Sequence, residues 1–465
     1  MQVESEKKRA AGHYAAIWRW HFYMGIAVAP FLMLLAATGL AMMLFAHTVG
    51  KEGERTKVAV SGHTRPLSQQ AQAALDAVDK DYGMVVQYIA PRAADTVAVF
   101  RVDKGSGEAL MVAVDPYSAN VVGIYPRNKS LYHLMDEIHS DMLIGSFGDY
   151  VLETAAALTV LLVISGWWLW HRKRGGIGKM LAAPLEKKRS LWRNLHALTG
   201  TWISLMLLLF CLSGMAWAGI WGGKVVQAWS QFPAGKWGVE PVPASTLPLH
   251  GDLNDGKTKE IPWVLELTPM PQSGTTLGSG GIDPALPLTL DTVDRFARDS
   301  GFEGRYQLYF PKGDTGVWTL NQDSMSYDSP SPTADRTVHI DRYSGKVLAD
   351  IRFQDYNLFG QFIAASIAFH MGTMGWWSLA LNVAFCLAVI FMCVSGWVMW
   401  WQRRPENAKG LLPPPHRRSD GLPKAPAVLL LLAALVFPTA AVAIAAVWLL
   451  DKLPLSRRLM AKYLK

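Results

Sequence analysis

Hydrophobic positions are concentrated in four long runs, which are separated by polar segments. A run of about 20 apolar residues is long enough to cross the hydrocarbon core of a bilayer as an α-helix. The pattern therefore predicts a membrane protein that is mainly an α-helical bundle with four core spans. These spans cover residues 22–45, 150–170, 197–220 and 376–400. The two long polar segments between them, 48–146 and 221–375, are expected to lie outside the membrane.

A fifth apolar run, residues 427–450, contains Pro438 near its middle. Proline interrupts the hydrogen bonding of a helix, so this run either crosses with a kink or turns back as a re-entrant hairpin. A crossing would place the tail, with its five basic residues between 452 and 465, on the side opposite the other basic segments. We expect a fifth span and keep the hairpin as the alternative.

The polar segments show the alternation of apolar and polar residues that is typical of strands. In the first segment, residues 68–79 predict an amphipathic helix, and strands are predicted at 85–89, 96–102 and 109–125. Both segments contain a strand-turn-strand pattern with Asp-x-Tyr-Ser in the turn, at residues 114–122 and 340–348. We therefore expect each segment to carry a related α+β module.

The spans also repeat in pairs. The first and third spans begin alike at one constant offset: His21, Gly25, Thr38 and Gly39 match His196, Gly200, Ser213 and Gly214. The second and fourth spans end alike, because Ser165-Gly166-Trp167 matches Ser395-Gly396-Trp397. Two copies in the same orientation imply a pseudo-two-fold axis along the membrane normal.

The distribution of charge predicts which side of the membrane each loop faces. The chain has 465 residues, is 51% hydrophobic and carries a formal net charge of +8. Eight of its Lys and Arg residues, against the single acid Glu186, fall in residues 172–193, which is the positive-inside pattern of a cytoplasmic loop. Topology thus accounts for the positive charge, and no nucleic-acid partner is expected. Cys211, Cys386 and Cys393 lie in apolar runs and predict no disulfide framework.

These features divide the chain into six parts. In order they are a cytoplasmic N-terminus with an uncleaved first span (1–47), a first outer module (48–146), the second and third spans with a basic loop (147–220), a second outer module (221–375), the fourth span (376–401), and a cytoplasmic loop, fifth span and basic tail (402–465).

Four of the twelve histidines occupy repeat-equivalent positions at the edges of the spans. His21 and His196 lie at the cytoplasmic edge, whereas His139 and His370 lie at the outer edge and align after a gap of one residue. Two equivalent neutral imidazoles that face each other across a two-fold axis are suited to bind haem iron from both sides. The four histidines are therefore candidate axial ligands.

Gly25 and Gly200, one helical turn beyond the inner histidines, would leave space for the flat macrocycle. Because no Cys-x-x-Cys-His motif occurs, we expect non-covalent haem b, and the two pairs predict two haems. His47, His133 and His171 stay open as alternative ligands, and ordinary hydrogen bonding to headgroups or backbone is the competing explanation for each histidine. The other five lie in polar contexts and are expected at the surface: His13, His63, His250, His339 and His416.

Over residues 13–405 the chain resembles the PepSY-associated transmembrane-helix family, which includes iron-regulated inner-membrane ferrisiderophore reductases. The resemblance rests on the histidine-glycine helix openings, the His139 and His370 segments, the Ser-Gly-Trp span ends and the two Asp-x-Tyr-Ser turns. It implies a bacterial inner-membrane enzyme with two haems, which takes electrons from the cytoplasmic side and reduces ferric siderophores in the periplasm to release ferrous iron.

The chain departs from this family pattern in two respects. It has no Gly-x-Gly-x-x-Gly fingerprint of a fused reductase domain, so a separate cytoplasmic or membrane electron donor is expected. Ala119-Asn120 also replaces the Gly-Lys of the family's turn in the first module. Two other classes of function stay open. One is a non-enzymatic PepSY membrane protein that binds a peptidase or acts as an assembly factor; the other is a transporter of iron or siderophore. An optical spectrum separates the first class from a haem protein.

Overall fold

The computed structural model describes residues 2–184, 189–226, 248–256, 258–403 and 436–452. The chain forms two compact units. The helical unit comprises Met1–Leu40, Glu137–Val226 and Asn382–Lys465, and the sheet unit comprises Ala41–Asp136 and Gln227–Leu381.

The described part of the chain contains both long apolar helices and short amphipathic ones. The helices are α1 Gln2–Thr48, α2 Leu67–Asp76, α3 Leu131–Asp141, α4 Ser146–Arg174, α5 Arg189–Gly214, α6 Leu290–Asp299, α7 Leu358–His370, α8 Trp376–Arg403 and α9 Pro438–Lys452. The strands are β1 Met84–Ile89, β2 Ala98–Asp103, β3 Ala109–Val114, β4 Val121–Pro126, β5 Gln307–Tyr309, β6 Val317–Gln322, β7 Arg336–Asp341 and β8 Val347–Arg352.

Four helical segments among the described residues are long and apolar enough to cross a membrane. They are His13–Thr48, Ser146–Arg174, Ser190–Trp217 and Trp376–Arg403. The four predicted apolar runs are thus confirmed as helices, and each helix continues into the polar residues that flank its run at one or both ends. These flanks extend the helix because only the apolar part has to match the thickness of the hydrocarbon core.

The third run ends earlier than the predicted residue 220. Helix α5 stops at Gly214, a 3₁₀ turn follows, and the backbone is extended at Ala218. Two carboxylates of α4 hold this break, because Asp149 accepts a hydrogen bond from the N–H of Gly219 (2.8 Å) and Glu153 accepts one from the N–H of Ile220 (3.0 Å). Backbone donors that the helix no longer pairs are therefore satisfied by side chains.

Only the end of the fifth apolar run lies within the described residues. Helix α9 begins at Pro438, where a proline costs no helical hydrogen bond. Thr439 donates to Glu153 of α4 (3.1 Å), and Phe437 stacks on Trp221 with ring centroids 6.0 Å apart. Residues 427–435, the tail from 453, most of the predicted loop 402–424 and His416 lie outside the described residues. The fifth span therefore stays a prediction.

The sheet unit contains one eight-stranded antiparallel sheet with the order β4-β3-β2-β1-β5-β6-β7-β8. Each half has the same plan, a helix followed by four strands and a second helix. The first strand of each half lies at the centre of the sheet, and the later strands follow outward in sequence order. The two modules expected from the sequence are halves of a single sheet, because β1 and β5 pair with Tyr88 opposite Leu308. Helices α2 and α6 cover one face of this sheet and enclose its main hydrophobic core.

The two Asp-x-Tyr-Ser turns join β3 to β4 and β7 to β8. Asp115 accepts a hydrogen bond from the N–H of Tyr117 (2.9 Å), and Asp341 does the same for Tyr343 (2.8 Å). The fifth residue of both turns has a left-handed backbone, and it is Gly345 (φ 70°) in the second turn. The predicted strand 109–125 is thus two strands, because this turn reverses the chain.

Candidate functional site

His21 lies on α1 and is held by a serine of α4. Its Nδ1 is 2.9 Å from Ser165 Oγ. The Ser165 hydroxyl donates its own proton to the carbonyl of Leu162 (3.1 Å), so Oγ accepts the hydrogen bond from the imidazole. This arrangement places the ring proton on Nδ1 and leaves the lone pair on Nε2, the atom with which a neutral histidine binds a metal.

His196 on α5 repeats this geometry with a serine of α8. Its Nδ1 is 2.8 Å from Ser395 Oγ, and Ser395 donates to the carbonyl of Met392 (3.0 Å). The same tautomer follows for the same reason. The repeat seen in the sequence thus extends to hydrogen bonds between residues that are far apart in the chain.

A glycine follows each serine and lies against the imidazole. A methyl group at Gly166 would come within 3.1 Å of His21 Cε1, whereas one at Gly396 would lie 3.8 Å from His196 Cε1. The first distance is closer than ordinary van der Waals contact. A methyl group at Gly166 would therefore require a small shift of the His21 ring, whereas one at Gly396 would make an ordinary contact with His196.

The predicted glycines Gly25 and Gly200 have a different environment. A methyl group at Gly25 would make an ordinary contact of 3.9 Å with Leu162, and one at Gly200 would press on the flexible end of Met392 at 2.9 Å. Contacts with protein atoms do not explain the glycine at position 25. Its role in leaving space for a macrocycle stays a prediction.

His139, on α3, is held in the same way by α1. Its Nδ1 is 2.8 Å from Thr38 Oγ1, and Thr38 donates to the carbonyl of Leu34 (2.8 Å). A methyl group at Gly39 would lie 3.3 Å from His139 Cε1. Burial lowers the pKa of His139 to about 4, so the ring is neutral at pH 7.

The inner pair has the donor set that axial ligation of a haem requires. Among the described residues, Nε2 of His21 and Nε2 of His196 take part in no hydrogen bond. Within the described part of the chain no group of three or more His, Cys, Asp or Glu side chains could hold a metal ion. Two imidazoles with Nε2 available are a donor set that fits a haem iron.

The other predicted ligands have varied environments. His370 ends α7 in the sheet unit and is half-buried, and its pairing with His139 stays a prediction. His171 is exposed in the last turn of α4. His47 donates from Nδ1 to its own helix at Met43 (2.9 Å). His133 is buried, its Nδ1 is 2.8 Å from Ser130 Oγ, and burial lowers its pKa to about 4.

The prediction that His250 and His339 are surface residues is wrong. Both are fully buried in the sheet unit, and their Nε2 atoms are 2.8 Å apart. His250 Nδ1 donates to the carbonyl of Thr268 (2.9 Å), so its Nε2 accepts from His339, whose Nδ1 lies 2.9 Å from Thr319 Oγ1. Polar and apolar side chains alternate along β7, and His339 lies on the polar face of this strand. The segment around His250 covers this polar face. Because the two Nε2 atoms bond each other, neither is placed to bind a metal.

The same face of the sheet unit holds a buried charge network that the sequence analysis missed. Arg127 contacts Glu52 (2.8 Å), Glu260 (2.9 Å) and Asp255 (3.3 Å). These groups border a cavity of about 20 Å³, which has room for about one water molecule. The cavity is too small for a chelated metal, so this network is part of the framework of the unit. Acids and bases scattered over two segments gave no signal in the sequence.

A family model described as the PepSY-associated TM region matches residues 18–403. No curated protein matches the chain.

Proposed function

Because the chain belongs to the family defined by the PepSY-associated transmembrane region, we propose that it is a transmembrane oxidoreductase of the bacterial inner membrane. It carries two haem b groups and reduces ferric siderophores, or similar ferric chelates, on the periplasmic side. The reaction uses one electron for each ferric ion, which a separate cytoplasmic or membrane-bound donor supplies. The ferrous ion then leaves, since the hard oxygen ligands of a siderophore hold it weakly.

The observation that carries this proposal is the pair formed by His21 and His196. Both imidazoles lie on apolar helices, and both present Nε2 without a hydrogen bond among the described residues. Ionisable side chains at membrane depth are expensive and tend to be functional. The equivalent arrangement in two helices supports one shared ligand over two unrelated packing roles.

The chain contributes position and environment. Bound haem would supply reversible one-electron chemistry at iron. His21 and His196 would hold it, and the apolar helices that carry them would keep it away from bulk water. His139 and His370 are the proposed ligands of a second haem nearer the periplasm.

The experiment is an anaerobic single-turnover assay on the purified full-length protein. The haems are reduced with dithionite, excess reductant is removed, and a ferric siderophore is added with a chelator that traps ferrous iron. We expect the haems to be reoxidised and one ferrous complex to form for each haem oxidised. Haems that stay reduced with several ferric chelates would contradict the reductase. A colourless preparation from haem-replete cells would favour a non-enzymatic PepSY membrane protein.

A further inference from the structure

We propose that the dipeptides Ser165-Gly166 and Ser395-Gly396 are positioning elements for the axial histidines and set the strength of those ligands. This inference rests on the proposed function, because it concerns the haem that His21 and His196 would share. In each case the serine fixes the tautomer, and at His21 the glycine also limits how closely the ring approaches the neighbouring helix.

The hydroxyl acts as the acceptor in each of these contacts. Ser165 and Ser395 each donate their hydroxyl proton to the carbonyl three residues earlier in the same helix. The hydrogen bond to the imidazole therefore has the direction Nδ1–H to Oγ. An acceptor at Nδ1 fixes the orientation of a metal-binding imidazole and raises its basicity.

A third example shows that the contact between a histidine and a hydroxyl-glycine dipeptide is not explained by the sequence repeat alone. His139 uses Thr38-Gly39, and here the dipeptide lies on α1 and the histidine on α3. Neither member of this contact is repeat-equivalent to His21 or Ser165. The same three features recur all the same, namely a hydroxyl at Nδ1, a hydroxyl proton given to the helix backbone (2.8 Å to Leu34) and a glycine against Cε1.

A more basic imidazole stabilises ferric over ferrous iron, so the serines should lower the reduction potential of the inner haem. The two glycines should differ in importance. A methyl group at Gly166 would lie 3.1 Å from His21 Cε1, and one at Gly396 would lie 3.8 Å from His196 Cε1. The structure therefore assigns the tighter cradle to His21.

The test uses the full-length protein with the variants Ser165→Ala, Ser395→Ala, Gly166→Ala and Gly396→Ala. Thr159→Val is the matched control, because Thr159 is a buried hydroxyl of α4 that donates to Ala155 (2.7 Å). Haem content, haem affinity after extraction and reduction potential are measured. We expect each serine variant to bind haem about ten- to a hundredfold more weakly and to have a more positive potential. Gly166→Ala should lose haem, and Gly396→Ala should retain it.

Ser165→Thr keeps the hydroxyl, as Thr38 does in the third example, and should restore affinity and potential. Thermal unfolding of each variant separates local loss of haem from misfolding. If Ser165→Ala and Gly166→Ala match Thr159→Val in affinity and potential while His21→Ala loses haem, this inference is wrong and the proposed function stands. If the wild-type protein binds no haem, both are overturned.

Discussion

The two halves of the sheet follow one plan and differ on one face. On the face covered by α2 and α6, both halves present apolar side chains, such as Phe100 in β2 and Leu320 in β6. On the opposite face the first half has a small apolar core with Val99 and Met111, and the buried charge network of Arg127 borders this core. The second half instead buries polar residues, among them Asn321 and His339.

Alternation along a strand therefore has different consequences in the two halves of the sheet. Strand β3 is a continuous apolar run, and it is buried on both faces as such runs usually are. Strand β7 alternates, which predicts a solvent-exposed polar face, yet that face is also buried. Alternation shows which residues share a face, and it does not show whether a polar face is covered by another segment.

Breaking the buried ion pair of the second half should have the largest effect on stability. Arg305 pairs with Asp328, and both are buried. Arg305→Met leaves a buried carboxylate without its partner, which typically costs about 3–5 kcal/mol. The free energy of unfolding in detergent measures the loss. Lys57→Met removes an exposed partner of Asp95 and should cost less than about 1 kcal/mol. Equal losses of unfolding free energy in the two variants would contradict the claim that the polar residues of the second half are buried.

The histidine pair of the second half should make unfolding depend on pH. Burial lowers the pKa of His250 to about 4 and that of His339 well below its ordinary 6.5. His250 therefore stays neutral at pH 5 in the folded state, while the same side chain takes up a proton in the unfolded chain. Its stabilising contribution is present above about pH 6.5 and falls as the pH drops, by about 2 kcal/mol between pH 6.5 and 5, and His339 acts in the same direction.

The measurement compares the free energy of unfolding at pH 7 and pH 5 in wild type and His339→Gln. The variant should lose less on acidification. The variant is compared with wild type because both contain Asp323. Burial raises the pKa of this carboxyl to about 7, so its effect on the pH dependence of stability is opposite to that of the histidines. His63→Gln, an exposed control, should keep the wild-type slope. An unchanged slope in His339→Gln would mean that the pair titrates in the folded state.

The two Asp-x-Tyr-Ser turns should give a smaller effect with opposite signs in the two halves. Ala119 has a left-handed backbone (φ 59°) where the second turn has Gly345 (φ 70°). Ala119→Gly should stabilise the protein by up to about 1 kcal/mol, because glycine removes the strain of that conformation. Gly345→Ala should destabilise it by about 1–2 kcal/mol, since the methyl would also lie 3.2 Å from Ile282 Cβ. Thermal unfolding of both variants checks this, and shifts of the same sign would contradict it.

The sequence predicted the spans well because the thickness of a bilayer sets a length that an apolar run must match. It did not predict the end of α5, because the carboxylates that hold the break lie on α4. The pairing of β1 with β5 was also missed, since it joins strands from two distant segments. Local patterns contain no information on such contacts.

The candidate site shows the same limit of local sequence patterns. The repeat identified His21 and His196 as equivalent, and it also contained the Ser-Gly dipeptides. What it did not contain is the contact between His21 and Ser165, which are 144 residues apart. Only the structure relates the two halves of the motif.

The most direct test of the account is the haem content and spectrum of the purified protein with single histidine variants. We expect low-spin, six-coordinate haem b in the wild type, with two haems per chain. His21→Ala and His196→Ala should each lose the same single haem and retain the other, and His171→Ala, which changes an exposed residue, should keep both. A wild type without haem, or two variants that lose different haems, would contradict a site shared by His21 and His196.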